Sequence, residues 1–103
     1  MSGSIFKNYI VSEIYKKELS KNTHTNLYYL RTSNQNEVDL IIDRKSYREF
    51  IEIKSGKTFK LKMVQTIEKF LEPNDKGYLL YNGVEFPYKK NIEILNYKDY
   101  LKS

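Results

Sequence analysis

The stretch Glu37 to Gly56, EVDLIIDRKSYREFIEIKSG, holds two runs of Val, Leu, Ile and Phe that set charged residues at regular intervals: Asp39 in the first, Glu52 and Lys54 in the second. Both runs have strand composition, and the four residues Arg44 to Tyr47 between them are enough to close an antiparallel hairpin. Such a hairpin puts Asp43 opposite Arg48, Asp39 opposite Glu52 and Glu37 opposite Lys54. Val38, Leu40, Ile42, Ile51 and Ile53 then point to the other face, which is predicted to be core. Directly opposed carboxylates, with Cβ atoms roughly 5 Å apart, destabilise a sheet unless a cation lies between them. Mg²⁺ or Mn²⁺, which takes carboxylate, water and phosphate oxygens, meets that need. Lys54 on the same face adds a cation at the edge, and together these are the parts for metal-assisted phosphodiester hydrolysis. The competing arrangement is a solvated sheet face on which Lys54 pairs with Glu37 and Glu52 while Asp39 accepts from Arg31 or Arg48.

Working outward, Ser4 to about Leu19 reads as a helix. Ile5, Phe6, Tyr9, Ile10, Ile14 and Leu19 recur on what is predicted to be the buried side, with a polar opposite face. SKNTHTN is a loop, NLYYLRT a strand and SNQN a turn. After the hairpin, KTFKLKMVQTIEKFLE reads as a helix with Val64, Ile67, Phe70 and Leu71 inward, and KGYLLYN as a strand after the breaker PNDKG. Asn82-Gly83 is expected to close a hairpin between YLLY and VEF. NIEILNY is a last short strand, followed by a terminal helical turn. The predicted order is helix, three strands, helix, strand, an α/β (α+β) core with a mixed sheet. At 103 residues and without repeat or linker, residues 1–103 read as one domain.

Composition narrows the chemistry. There is no cysteine, so thiolate metal sites, thiol catalysis and disulfides are excluded. The one histidine, His24, sits in a polar run and receives no role. A mean hydropathy of -0.67 and the lack of a long apolar run speak against a membrane span, and the start MSGSIFKNYIVSE lacks the pattern of a secretory signal, so a cytoplasmic location is expected. The formal net charge of +5 favours a polyanionic partner, and Lys54, Lys57, Lys60 and Lys62 form the densest basic group. Ser55-Gly56-Lys57-Thr58 imitates the end of a phosphate-binding loop, but the first glycine of that motif would fall at Ile51. A plain strand-to-helix turn with Thr58 as N-cap is the simpler reading. In a milder form, Lys57, Thr58 and the helix N-terminus would hold one backbone phosphate.

Asp39, a gap of twelve residues, then Glu52-Ile53-Lys54 on an apolar strand resembles the PD-(D/E)XK nuclease superfamily, which includes restriction endonucleases and archaeal Holliday junction resolvases. A closer resemblance is to the uncharacterised C-terminal domain attached to many bacterial and archaeal AAA-type ATPases. It is carried by Gly3-Ser4-Ile5-Phe6-Lys7-Asn8, Tyr28-Tyr29-Leu30-Arg31-Thr32, Glu37-Val38-Asp39-Leu40-Ile41-Ile42 and Ile51-Glu52-Ile53-Lys54-Ser55-Gly56-Lys57-Thr58. The resemblance implies a restriction endonuclease-like αβββαβ core flanked by helices. It also implies Asp39, Glu52 and the carbonyl of Ile53 as ligands of Mg²⁺ or Mn²⁺, and Lys54 as the catalytic lysine. Lys7 departs from the pattern, because the family has a glutamate there; Glu13, six residues on, projects roughly to the opposite side of the helix. Two functions are therefore expected. One is a Mg²⁺-dependent nuclease acting on DNA, with Arg31, Lys57, Thr58, Lys60 and Lys62 near the backbone. The alternative is a catalytically silent nucleic-acid-binding or regulatory module of an AAA-type ATPase system. DNA, an AAA-type ATPase and a second copy of the chain are the expected partners.

Overall fold

Ridges of apolar residues on both faces of one sheet decide the architecture, seen here in a computed structural model that describes residues 3–21, 26–31 and 36–102. Helix α1 (Gly3–Ser20) is followed by strands β1 (Asn26–Arg31), β2 (Glu37–Asp43) and β3 (Arg48–Ile53). Next come a single 3-10 turn (Leu61–Met63), helix α2 (Gln65–Phe70), strands β4 (Lys76–Tyr81), β5 (Phe86–Lys89) and β6 (Ile92–Asn96), and helix α3 (Tyr97–Lys102). The six strands form one mixed sheet in the order β1-β2-β3-β4-β6-β5. β1, β2 and β3 are antiparallel neighbours, β4 runs parallel to β3 and to β6, and β5 returns antiparallel to β6. This is the predicted helix, three strands, helix, strand order in a mixed α/β fold. His24 and most of the predicted loop SKNTHTN and turn SNQN lie outside the described residues. Among the described residues no helix is long and apolar enough to cross a membrane.

The hairpin forms with the expected register from Asp43 and Arg48 to Leu40 and Ile51, whereas the expected pairs Asp39–Glu52 and Glu37–Lys54 lie beyond the end of the regular ladder. Asp43 pairs with Arg48 and Leu40 with Ile51, and the Arg44 N–H donates to the Tyr47 carbonyl at 2.9 Å across the loop. Lys45 accepts the left-handed conformation the loop requires, at φ 75°. Two expectations about its faces are corrected. The side that carries Glu52 is itself core: Ile41, Phe50, Val64, Ile67, Leu79, Tyr81, Ile92 and Ile94 pack there under α2, while Leu40, Ile42, Ile51, Ile53 and Leu80 pack against α1. Both faces are covered because the β3–β4 connection lays α2 across one and the terminal helices α1 and α3 pack on the other. Val38 also changes sides and packs with Ile41. From Tyr28 to Leu30 β1 advances two residues while β2 retreats three, from Ile41 to Val38, so a bulge at Asp39 and Leu40 resets the alternation.

Helix α1 buries Phe6, Ile10 and Ile14, which at about 100° per residue stay within one narrow arc, each worth roughly 1.5–3 kcal/mol of burial. Ile5, Tyr9 and Leu19, expected on that side, are exposed on another flank, so the far side is not simply polar. The predicted long helix after β3 is also corrected. Residues 57–60 are irregular, and helical structure begins only at the 3-10 turn and at Gln65, after Val64 at φ -112°, ψ 0°. Thr58 therefore caps nothing. Nor does Asn82-Gly83 close a hairpin between β4 and the next strand: β4 pairs with β6, and the hairpin joins β5 to β6. Gly83 has an ordinary negative φ, and its missing side chain matters for space instead, since a Cβ would come within 2.4 Å of the Lys57 carbonyl.

Candidate functional site

The bulge is what builds the site. Regular pairing of β2 with β3 stops at Leu40 and Ile51, and the next ladder donor, the Ile53 N–H, is taken at 2.8 Å by Asp39 Oδ2. A side-chain carboxylate thus replaces a backbone carbonyl, which fixes Asp39 where the strands part. Its other oxygen, Oδ1, receives Lys7 Nζ from α1 at 2.7 Å, with the Lys7 side chain 38% exposed and that of Asp39 7%. Glu52 touches the same carboxylate: its carboxyl hydrogen-bonds the Asp39 side chain and accepts from the Asp39 backbone.

The electrostatics follow from this crowding. Burial, then the hydrogen bond and negative charge of Asp39, push the Glu52 carboxyl up to about 9, against the opposing charge of Lys54. Burial beside Asp39 thus favours the protonated form of Glu52. Burial pulls the Lys7 ammonium down, but the hydrogen bond and charge of Asp39, with Glu52 and Glu37 behind, outweigh it and hold Lys7 above the ordinary lysine range. The pair predicted from the hairpin count thus meets in contact, with burial favouring a shared proton and with Lys7 paired to Asp39. Neither Arg31 nor Arg48 serves Asp39, in contrast to the ion-pair expectation. Arg31 pairs with Glu37 at 3.2 Å and Arg48 with Asp75 at 2.8 Å. Glu13 pairs with Lys16 on the same helix and stays away.

Both oxygens of Asp39 are engaged, one by the Ile53 N–H and one by Lys7, and among the described residues there is no cluster of three His, Cys, Asp or Glu that could hold a metal. Ile53 contributes its amide N–H as the clasp on Asp39. Lys54 follows directly after β3, its backbone N–H bonded to the Leu80 carbonyl at 2.9 Å. From there the chain passes Lys57 beside the end of β4 and continues through Thr58, Lys60 and Lys62, all exposed. The Gly56 carbonyl accepts from the Asn82 N–H at 3.0 Å, which anchors that segment beside the end of β4. Ligands of parallel sheets gather outside the carboxyl ends of the strands, and Lys7 reaches the same edge.

A groove of about 330 Å³ opens from Asp39 between α1 and β1, lined by Lys7, Asn8, Tyr29, Arg31 and Glu37 among others. Asn8 and Tyr29 were legible only as parts of the FKN and YYLR blocks; nothing in their spacing assigned them to a site. A second polar centre, at the opposite end of the hairpin, was missed altogether. Arg44 bridges buried Glu18 at 2.5 Å and Glu49 at 2.7 Å, and Tyr78 donates to Glu49 at 3.1 Å. The signal was present, since Glu49 alternates in phase with Ile51 and Ile53 on the core side of β3. It acts as a structural clasp between α1, the hairpin loop and β4.

No curated protein matches this chain. One family does, over residues 2–100: the chain belongs to the family Domain of unknown function (DUF4143), a domain often found linked to AAA+-type ATPases.

Proposed function

We propose that this chain is a hydrolytically silent, nuclease-like module that binds the nucleic-acid backbone in the service of an AAA-type ATPase, with Lys7 as a fixed cation where a nuclease would carry its metal. The antiparallel β1-β2-β3 meander, the α2 crossover and the parallel β4 correspond to the restriction endonuclease-like core that the PD-(D/E)XK resemblance implies. The observation that carries the reading is the 2.7 Å contact of Lys7 Nζ with Asp39 Oδ1, made by the residue that replaces the family glutamate. A tethered ammonium neutralises the carboxylate without lowering the pKa of a water or offering open coordination positions, so it supports binding and not hydrolysis. Lys54 and Lys57 lie where β3 and β4 end, and with the exposed Lys60 and Lys62 that follow they would supply phosphate contacts.

Calorimetric titration of Mg²⁺ and Mn²⁺ into wild type and Lys7→Glu tests this. Wild type is expected to show no saturable binding and Lys7→Glu to gain it. DNA binding by wild type is expected to survive chelator and to weaken steeply with salt, the slope falling by about one for each of Lys57, Lys60 and Lys62 changed to alanine. Saturable Mg²⁺ binding by wild type that Asp39→Ala abolishes would overturn the reading.

One observation favours a second reading, a Mg²⁺- or Mn²⁺-dependent deoxyribonuclease: Asp39 and Glu52 are in direct contact with Lys54 beside them. It requires Lys7 to swing out and Glu52 to lose its proton, after which Asp39, Glu52 and the Ile53 carbonyl would ligate the ion. Cutting of plasmid or branched DNA that vanishes in Asp39→Ala and Glu52→Gln would establish it; activity persisting in both variants would mark a contaminant.

A further inference from the structure

The two edges of the sheet are built differently. The β5 edge, FPYK followed by Lys90, carries a proline and two lysines, devices that discourage pairing with another strand. The β1 edge, NLYYLR, has no proline, no lysine and no charge before its last residue. Among the described residues nothing pairs with its outer side. Its tyrosines are large and open: Tyr28 is 39% and Tyr29 68% exposed. A row of unsatisfied backbone groups flanked by aromatic side chains is a template for strand addition.

Helix α1 overhangs the same edge with more apolar surface. Asn8 and Val11 line the groove together with Tyr29, so that flank of α1 faces β1. Tyr15 stands one turn beyond Val11, and Leu19 stands eleven residues beyond Asn8, only about 20° around the helix at 100° per residue. Tyr15 is 41% and Leu19 78% exposed.

From these two features we infer that β1 is the dimer interface, pairing antiparallel with β1 of a second copy to make a continuous twelve-stranded sheet. A two-fold axis normal to the sheet keeps like faces together. Leu27 and Tyr29 lie on the α1 face, Tyr28 and Leu30 on the α2 face. Two registers preserve this near the strand centre. In one, Tyr28 meets its own copy and Leu27 meets the second copy's Tyr29; in the other, Tyr29 meets its own copy and Tyr28 meets the second copy's Leu30. Both give aromatic and aliphatic cross-strand pairs and oppose no like charges, which is what makes the strand suited to itself. A stable interface buries about 1,200–2,000 Å² in total. With an aromatic side chain worth up to about 150–250 Å², the three tyrosines and Leu19 of each copy, together with the paired backbone, reach the lower end of that range. The interface leaves Lys57, Lys60 and Lys62 on the far side of β3, so this assembly stands or falls separately from the proposed function.

Sedimentation velocity of the 103-residue chain, from about 1 to 100 µM as suits an interface of this size, reads the outcome. Wild type is expected at twice 12.4 kDa at the upper end and Tyr29→Lys at 12.4 kDa with unchanged circular dichroism. Because the chain has no cysteine, single Tyr28→Cys and Tyr29→Cys variants provide a second measurement. Residues opposed on the axis have Cα atoms about 4.5–5.5 Å apart, within disulfide reach, so one of the two should cross-link on mild oxidation and Leu61→Cys, exposed elsewhere, should not. A monomer throughout the concentration range overturns the inference. So does a dimer that persists in Tyr29→Lys with neither tyrosine position cross-linking.

Discussion

Replacing Glu52 by glutamine is expected to stabilise the protein by an amount that grows with pH. Glu52 is 7% exposed, and its carboxyl stands at about 9 rather than 4.5, raised by burial and by the hydrogen bond and charge of Asp39. Between those values the folded state binds one proton more than the unfolded chain, so stability is fullest below the unfolded pKa and is lost as pH climbs toward the folded one. One proton costs about 1.4 kcal/mol per pH unit, which sets a ceiling of about 4 kcal/mol between roughly pH 5 and 8. Asp39 and Lys7 adjust as Glu52 ionises, and water can follow the charge, so about 2 kcal/mol is the expected change, or a shift of roughly 10 °C in Tm for a domain this small. Glutamine matches glutamic acid in size, and its amide can donate to Asp39 without titrating. Urea unfolding of both proteins at three pH values measures the difference. Glu18 and Asp75 impose the opposite dependence. Burial acts against their charge, but for Glu18 the hydrogen bonds of Arg44 and Lys21, and for Asp75 those of the Glu72 N–H and Arg48, hold the pKa low. Both are present in wild type and variant and cancel. A gap that stays constant within about 0.5 kcal/mol over this range would refute the shared-proton description of the pair.

Lys7→Met, which strips the cation from Asp39, is expected to cost about 1 kcal/mol in urea unfolding, well short of a fully buried pair because the Lys7 side chain is 38% exposed. Arg44→Ala leaves Glu18 and Glu49 buried without their shared cation and should cost about 3 kcal/mol; a loss below 1 kcal/mol would mean the clasp is not structural. Gly83→Ala drives a Cβ to within 2.4 Å of the Lys57 carbonyl and 2.5 Å of the Tyr81 ring. It should destabilise by roughly 1–3 kcal/mol and speed amide exchange in residues 54–60, the segment it pushes away.

The hairpin shows how far local pattern reaches. Alternation and a four-residue loop fix the Asp43–Arg48 register, because a one-residue slip would turn every side chain of β3 over. Asp39 and Glu52 could therefore be brought together by counting alone. The stop of the long predicted helix could not be foreseen in the same way. Residues 57–64 have an apolar rhythm compatible with a helix, yet Gly56 and Lys57 are held at the end of β4 by Asn82 and by close packing at Gly83, contacts to residues far along the chain. The misassigned Asn82-Gly83 hairpin has the same origin. A favourable turn pair says nothing about whether β4 finds another partner in β6, which places β4 in the sheet interior.

What the sequence determined by itself is most of the strands, the hairpin register from Asp43–Arg48 to Leu40–Ile51, and the proximity of Asp39 to Glu52, all of which follow from periodicities within about twenty residues. The tertiary structure alone decided the chemical state of that meeting. Lys7 arrives from α1, and the bulge that frees the Ile53 N–H to clasp Asp39 depends on how β1 lies against β2. The depth of burial that raises the Glu52 carboxyl depends on layers packed over both faces. Charge and protonation answer to distance and dielectric, which a linear pattern does not contain.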